Sequence, residues 1–315
     1  MRGTIFSSGF IGRLVIVALS ATLAATLAVA AFTSTGAAQA TKTANLEEGF
    51  EKVQAIRAFP NEGVPLLKSF IFQYVPSYAK CVPVVTDDCF GQVDHHIWYI
   101  NIGPNTLAPG KIHLVFSDEG RSPFYYYVQH YILTDPSIRK FETGFNEAVG
   151  QTTKTISRPT PASNYVFVLR GFSLSFADAA DRHIDEVGII ENDGKVTVEF
   201  NDALHNRRFK YKIWYAYVPR EMFTTSGLGE RSGTYAKDHA QQAIPDGPAV
   251  IRGFRFEDKP TCVGSRSCSD HHIKKIGVEN QGGRVQVRYA DKNGDDPFDW
   301  RVKWGILKRS FPLPR

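Results

Sequence analysis

Beyond position 40, apolar and polar residues alternate with a period of two. Val196, Val198 and Phe200 alternate with Thr197 and Glu199, Val285, Val287 and Tyr289 with Gln286 and Arg288, and Ile112, Leu114 and Phe116 behave in the same way. That period marks strands with one buried face. A second set, Phe124-Tyr126-Val128, Phe209-Tyr211-Ile213 and Phe298-Trp300-Val302, follows turns rich in Asp, Asn, Gly or Pro and reads as closing strands. Helical spacing occurs at Leu46, Phe50 and Val53, after Asn45 as an N-cap, which predicts one short helix near the start.

The strand pattern recurs three times. Asp94-His95-His96-Ile97, Asp181-Arg182-His183-Ile184 and Asp270-His271-His272-Ile273 follow one another at nearly equal intervals. Upstream of them stand Leu67-Lys68-Ser69-Phe70, Leu169-Arg170-Gly171-Phe172 and Ile251-Arg252-Gly253-Phe254. A fixed period of this kind signals tandem copies of one unit. Short antiparallel hairpins with one-sided alternation predict an all-β chain of three tandem antiparallel β-sandwich modules. These cover 41–133 (with the short helix), 164–218 and 248–315. The stretches 134–163 and 219–247, rich in Pro, Gly, Ser and Thr, read as linkers.

Composition adds the compartment. The 315 residues are 43% hydrophobic and 22% charged, enough apolar material for a folded core. A net charge of +5 without any run of one sign lacks the footprint of a nucleic-acid binder. Residues 1–40 hold Arg2 and Arg13, no acid, the apolar run from Leu14 to Phe32, and Ala38-Gln39-Ala40. This predicts a signal peptide cleaved after Ala40 and a secreted or periplasmic product, with membrane contact only if the leader stays attached. In that compartment Cys81 with Cys89 and Cys262 with Cys268 read as two local disulfides, each worth about 2 to 3 kcal/mol. The middle module has no cysteines.

The candidate chemistry lies in the repeated histidines. If Asn192-Asp193 and Gln281-Gly282 are two-residue hairpin loops, His183 stands opposite Asp202 and His272 opposite Asp291, and His96 with Asp118 occupies the matching place in the first module. An imidazole facing a carboxylate makes a charge-assisted hydrogen bond. Three roles fit such a pair. It can latch the open end of a sandwich; it can bind a ligand or a divalent metal with help from Asp94, Asp181 and Asp270; or it can orient a catalytic base. No serine or cysteine nucleophile accompanies all three copies, and threefold repetition suits binding by avidity. Asp291-Lys292-Asn293-Gly294-Asp295-Asp296 opens like a calcium loop but has Asp296 at the glycine position and Val302 at the glutamate position, so it reads as a hairpin turn. Tyr99, Tyr125, Tyr127 and Tyr131 share the parity opposite to the core and form an aromatic face, for a neighbouring domain or for a sugar ring.

The order Pro248-Ala249-Val250-Ile251, Asp270-His271-His272-Ile273, Val285 to Tyr289 and Val302-Lys303-Trp304 resembles the H-type lectin module. That resemblance implies a small β-sandwich that binds N-acetylgalactosamine-like sugars and assembles as trimers, which three modules in one chain would mimic. It transfers no sugar-contacting residue to a numbered position. The chain is also similar to exported bacterial repeat proteins of unassigned activity. The expectation is therefore an exported binding protein for a glycan or a cell-surface protein, without a cofactor. A structural or adhesive envelope protein is the alternative, and a hydrolase using the His-Asp dyads the third reading.

Overall fold

The computed structural model describes residues 42–43, 47–52, 54–59, 63–74, 97–105, 107–108, 110–118, 123–143, 146–148, 153–157, 164–177, 184–202, 208–235, 239–259, 273–290 and 297–308. The described residues are all-β apart from one 3₁₀ turn at Arg220–Met222. The first module contains β1 (Lys42–Thr43), β2 (Glu47–Lys52), β3 (Gln54–Ala58), β4 (Val64–Tyr74), β5 (Ile97–Pro104), β6 (Lys111–Asp118) and β7 (Pro123–Leu133). The second contains β8 (Arg139–Glu142), β9 (Asn146–Ala148), β10 (Thr153–Ser157), β11 (Tyr165–Phe176), β12 (Ile184–Asn192), β13 (Lys195–Asp202) and β14 (Phe209–Pro219). The third contains β15 (Phe223–Tyr235), β16 (His239–Ala243), β17 (Ala249–Asp258), β18 (Lys275–Gln281), β19 (Arg284–Ala290) and β20 (Phe298–Leu307).

These strands form three antiparallel sheets, and each sheet joins halves of two modules. One runs β1-β7-β4-β18-β19-β16, with β2 also on β7. Another runs β8-β14-β11-β5-β6-β3, with β9 also on β14, and the last runs β15-β20-β17-β12-β13-β10. The junctions are β4 with β18, β11 with β5 and β17 with β12, so each module hands its central hairpin to a neighbour in cyclic order. Within a module the two half-sheets face one another across the core, where Phe72 stacks on Phe116 at 5.3 Å and Phe256 on Tyr289 at 5.3 Å. Ala40–Arg315 is one compact unit.

Two expectations change here. Within the segment expected to be helical, Glu47–Lys52 is strand β2, paired with β7. Helical spacing over so few residues is a weak preference, while the eleven-residue β7 has backbone donors and acceptors on that side for a strand to satisfy. The two stretches read as linkers carry β8, β9 and β10 and β15 and β16, the outer strands of the second and third modules. Edge strands tolerate the polar and turn-forming residues that mark linkers, so composition does not separate the two.

Each of β4, β11 and β17 carries a bulge at the same place, between Leu67 and Ser69, Leu169 and Gly171, and Ile251 and Gly253. The extra residue lets Leu67 and Phe70, three apart, both reach the main core, as do their counterparts. The payoff is a central triad: Phe70, Phe172 and Phe254 lie 5.3, 5.1 and 5.1 Å apart by ring centroid. Ahead of the bulges, Leu66, Val168 and Val250 fall into a second buried cluster with Leu133, Val218 and Leu307.

The bulge also demands a small residue. A Cβ on Gly171 would collide with the Ile102 carbonyl oxygen on β5, at the junction of two modules. Gly171→Ala is expected to destabilise by about 1 to 3 kcal/mol, the usual cost of forcing extra bulk into packed backbone. Equilibrium denaturation would measure it, and a change within about 0.3 kcal/mol would contradict the close junction.

Candidate functional site

The recurring constellation sits where four strand ends of each module meet. In the first module Tyr74 at the end of β4 pairs with Phe124 on β7, and Ile97 at the start of β5 pairs with Asp118 at the end of β6. The two pairs come together as Tyr74 stacks on Phe116 at 4.5 Å and its hydroxyl donates to the Phe116 carbonyl at 3.3 Å. The module junctions bring these ends side by side. Lys275 pairs with Gln73, Tyr99 with Ser175 and Glu186 with Glu257, so the first hairpin strand of each module begins beside the spot where a neighbour's bulged strand ends.

Of the proposed pairs, Asp118 and Asp202 lie within the described residues and both are buried. His96, His183, His272, Asp291, Asp94, Asp181, Asp270 and the four cysteines lie outside them. The register around Asp202 is resolved and differs from expectation. The hairpin loops are Asp193-Gly194 (φ 45° and 81°) and Gly282-Gly283 (φ 58° and 71°), each one residue later than expected. A tight hairpin turn needs positive φ at both central residues, which Asp-Gly and Gly-Gly adopt more readily than Asn-Asp or Gln-Gly. With an irregularity at Asp185, Ile184 is the residue paired with Asp202, just as Ile97 is paired with Asp118.

A third buried carboxylate escaped the sequence reading. Asp258 ends β17 at the position of Tyr74 and Phe176, and the Tyr289 hydroxyl lies 3.3 Å from its Oδ2 and 3.4 Å from the Ile184 carbonyl oxygen. The signal available was its place four residues after Phe254, where strand parity points inward. Burial, then the charge of Asp118, raises Tyr74 well above the usual phenol range; burial, then Asp258, does the same for Tyr289. Both phenols are therefore held as donors at neutral pH. The second module has Phe176 against Phe200 at 4.5 Å in this place. Among the described strand ends, tyrosine beside aspartate is found in the first and third modules, whose sequences carry two cysteines each.

A separate polar cluster covers the outer face of the sheet shared by the second and third modules. Arg255 Nε donates to Glu186 Oε1 at 2.6 Å and to Glu199 Oε2 at 2.9 Å, and its Nη1 lies 3.0 Å from Glu257 Oε2. Asn201 Nδ2 donates to Glu186 Oε2 at 2.6 Å. Burial, then the neighbouring Glu186 carboxylate, pushes Glu199 up to about 7 against the pull of Arg255. Three carboxylates thus share one guanidinium, and burial beside a like charge favours the protonated form of Glu199.

The expected aromatic face is divided. Tyr99 is on β5 in one sheet, hydrogen-bonded with Ser173, while Tyr125, Tyr127 and Tyr131 are on β7 in another. Tyr131 is buried in the second apolar cluster, and burial pushes its hydroxyl up to about 12. Tyr125 (49% exposed) and the half-buried Tyr127 remain at the surface, two residues apart on the same side of β7. The positions are separated because period-two parity fixes the face of a strand but not the sheet to which it belongs.

Among the described residues, no three His, Cys, Asp or Glu side chains gather to hold a metal ion, and no helix is long and apolar enough to cross a membrane. No family model matches the chain, and no curated protein matches it. Among solved structures, one described as the triple jelly roll fold and turret assembly in an archaeal virus aligns over 87% of this chain and 92% of that one. Its identity is 7% and its TM-score 0.13, too low to carry an argument.

Proposed function

We propose that the protein is an exported binding protein that recognises a glycan or a surface partner through the strand-end loops of its three modules. The observation that supports this reading most is the cyclic pairing of modules, which sets the loop-bearing strand ends of one module beside those of the next. Recognition elements held side by side on a rigid support engage a repetitive ligand together, and avidity then raises weak single-site affinity. Tyr125 and Tyr127 add an aromatic surface of the kind that stacks on sugar rings. A second reading, a structural or adhesive envelope protein, draws on the continuity of the three sheets across module boundaries.

A glycan array probed with the chain lacking residues 1–40 tests the first reading. Reproducible binding to a related set of sugars, weakened by Tyr125→Ala with Tyr127→Ala or by shortening the segment 75–96, is the expected result. No signal even at high micromolar protein would remove the glycan and leave the envelope role. Mass spectrometry of the same sample, with and without reductant, checks the Cys81–Cys89 and Cys262–Cys268 bridges.

A further inference from the structure

The outer face of the sheet that contains β7, β4, β18 and β19 differs from its two counterparts. On each sheet, two residues of the bulged strand and two of the closing strand form a square of side chains that point away from the core, because their neighbours along each strand point into it. In the first module the square is Ile71 and Gln73 on β4 beside Tyr127 and Tyr125 on β7. In the second it is Ser173 and Ser175 beside Lys212 and Lys210, and in the third Arg255 and Glu257 beside Arg301 and Asp299. Of the three squares, the first alone is uncharged, and it is built on two aromatic rings and an aliphatic side chain. Tyr125 is exposed, and Tyr127, Ile71 and Gln73 are half-buried.

Strands β18 and β19 extend this square into a platform. Gly277 pairs with Ile71 on one side and with Arg288 on the other. A Cβ on Gly277 would strike the Phe70 carbonyl oxygen and would sit 3.0 Å from Ile71 Cγ1, so the isoleucine leans over the glycine and levels the surface between the strands. Beyond it, Arg288 Nη2 donates to Gln286 Oε1 at 3.0 Å and lies 3.5 Å from Glu279 Oε2, which matches its charge within the face. Lys275 stands beside Gln73 at the other end. The arrangement is an apolar centre rimmed by side-chain amides, an ion pair and one lysine.

Resting on the reading that the chain binds a glycan, we propose that this face is a glycan site separate from the strand-end loops, and that its ligand is a neutral chain of β-1,4-linked pyranoses with equatorial substituents. Such rings present flat C–H faces, which stack on the phenol rings of Tyr125 and Tyr127, and a rim of hydroxyls that exchange hydrogen bonds with amides such as Gln73 and Gln286. An axial hydroxyl would lift the ring off the platform. A uronic-acid chain would carry charge onto an uncharged square, whereas the lysine-bearing square of the second module is the one that complements it. The apolar centre measures about 7 Å along the strands and about 10 Å across them, the scale of one or two sugar rings, while a protein partner buries about 800 Å² on each side.

Isothermal titration of the whole chain with cellohexaose and chitohexaose, and with polygalacturonate as a contrast, tests the proposal. At least one of the two neutral oligosaccharides is expected to bind, with an affinity that added sodium chloride leaves unchanged, and polygalacturonate is not. Tyr127→Ala is expected to weaken binding about tenfold, through the lost ring contact, and Tyr127→Phe to keep it. Ile71→Ser with Tyr127→Lys, which copies the second module's residues, is expected to abolish binding, and Lys210→Ala to leave it at the wild-type level. Tyr125→Ala, at the most exposed corner of the square, keeps the test open if the Tyr127 variants fail to fold. Oligosaccharide binding that survives both tyrosine-to-alanine changes and vanishes when the segment 75–96 is shortened would overturn this site and leave recognition by the loops standing. Binding of other sugars on the array with neither neutral oligosaccharide bound would also overturn it. Silence across the whole array would remove the glycan reading and this site with it.

Discussion

Phe172→Ala is expected to destabilise the whole chain by about 3 to 5 kcal/mol, the range for removing a fully buried phenylalanine from a core that cannot collapse around the void. Phe172 is 1% exposed and its ring meets both Phe70 and Phe254, each from a different module. The three bulged strands that carry these rings also make the module junctions, so the void opens where three sheets converge and no single strand can move to fill it. The central position makes a second expectation: unfolding of Phe172→Ala remains one transition, because each sheet contains strands from two modules and none can melt alone. Denaturant titration followed by tryptophan fluorescence and far-UV circular dichroism would check both. Trp98 and Trp214 lie on β5 and β14, and Trp300 and Trp304 on β20, so separate transitions by the two probes would show modules that unfold independently.

Much of this arrangement was legible in the chain because period-two alternation fixes both strand and face. Val196, Val198 and Phe200 are buried as that period requires, and the recurrence of Leu-Lys-Ser-Phe, Leu-Arg-Gly-Phe and Ile-Arg-Gly-Phe marks the bulged strands that surround the centre. Partnership was not legible. Nothing in the alternation of β12 says that its second neighbour is β17 from another module, since backbone hydrogen bonding is indifferent to sequence and the choice is made by packing of Phe254 and its counterparts. Register went astray by a single turn residue, because Asn192-Asp193 and Asp193-Gly194 are both acceptable loops by composition and only positive φ separates them. The carboxyl cluster around Arg255 was invisible for a different reason. Glu186, Glu199 and Glu257 come from three strands, each an unremarkable polar position between apolar ones, and meet only through the junction of β12 with β17.

Replacing His130 or Glu199 is expected to expose a pH dependence that the wild-type chain conceals. Burial, chiefly, lowers His130 from 6.5 to about 4, with the Arg170 charge adding to the fall and the bond to the Arg170 carbonyl opposing it. Its folded pKa lies below its unfolded one, so its neutral form stabilises the fold fully above pH 6.5 and that stability is lost as pH falls toward 4. Glu199 has the opposite sign. Its folded pKa is raised from 4.5 to about 7, so its contribution is fully present below pH 4.5 and is lost as pH rises through 7. Each pH unit between folded and unfolded values is worth about 1.4 kcal/mol, so each group moves stability by on the order of 3 kcal/mol across its window. Between pH 4.5 and 6.5 the two slopes are opposed, so each offsets the other. Glu199→Gln leaves the histidine slope alone, giving a protein that weakens steadily as pH falls from 6.5 toward 4; His130→Gln, which keeps a donor for the Arg170 carbonyl, leaves the glutamate slope and weakens as pH rises from 4.5 to 7. Urea midpoints measured across that range for the wild type and both variants would check the signs. Variants whose pH profiles run parallel to the wild type would show that neither group titrates as its surroundings require.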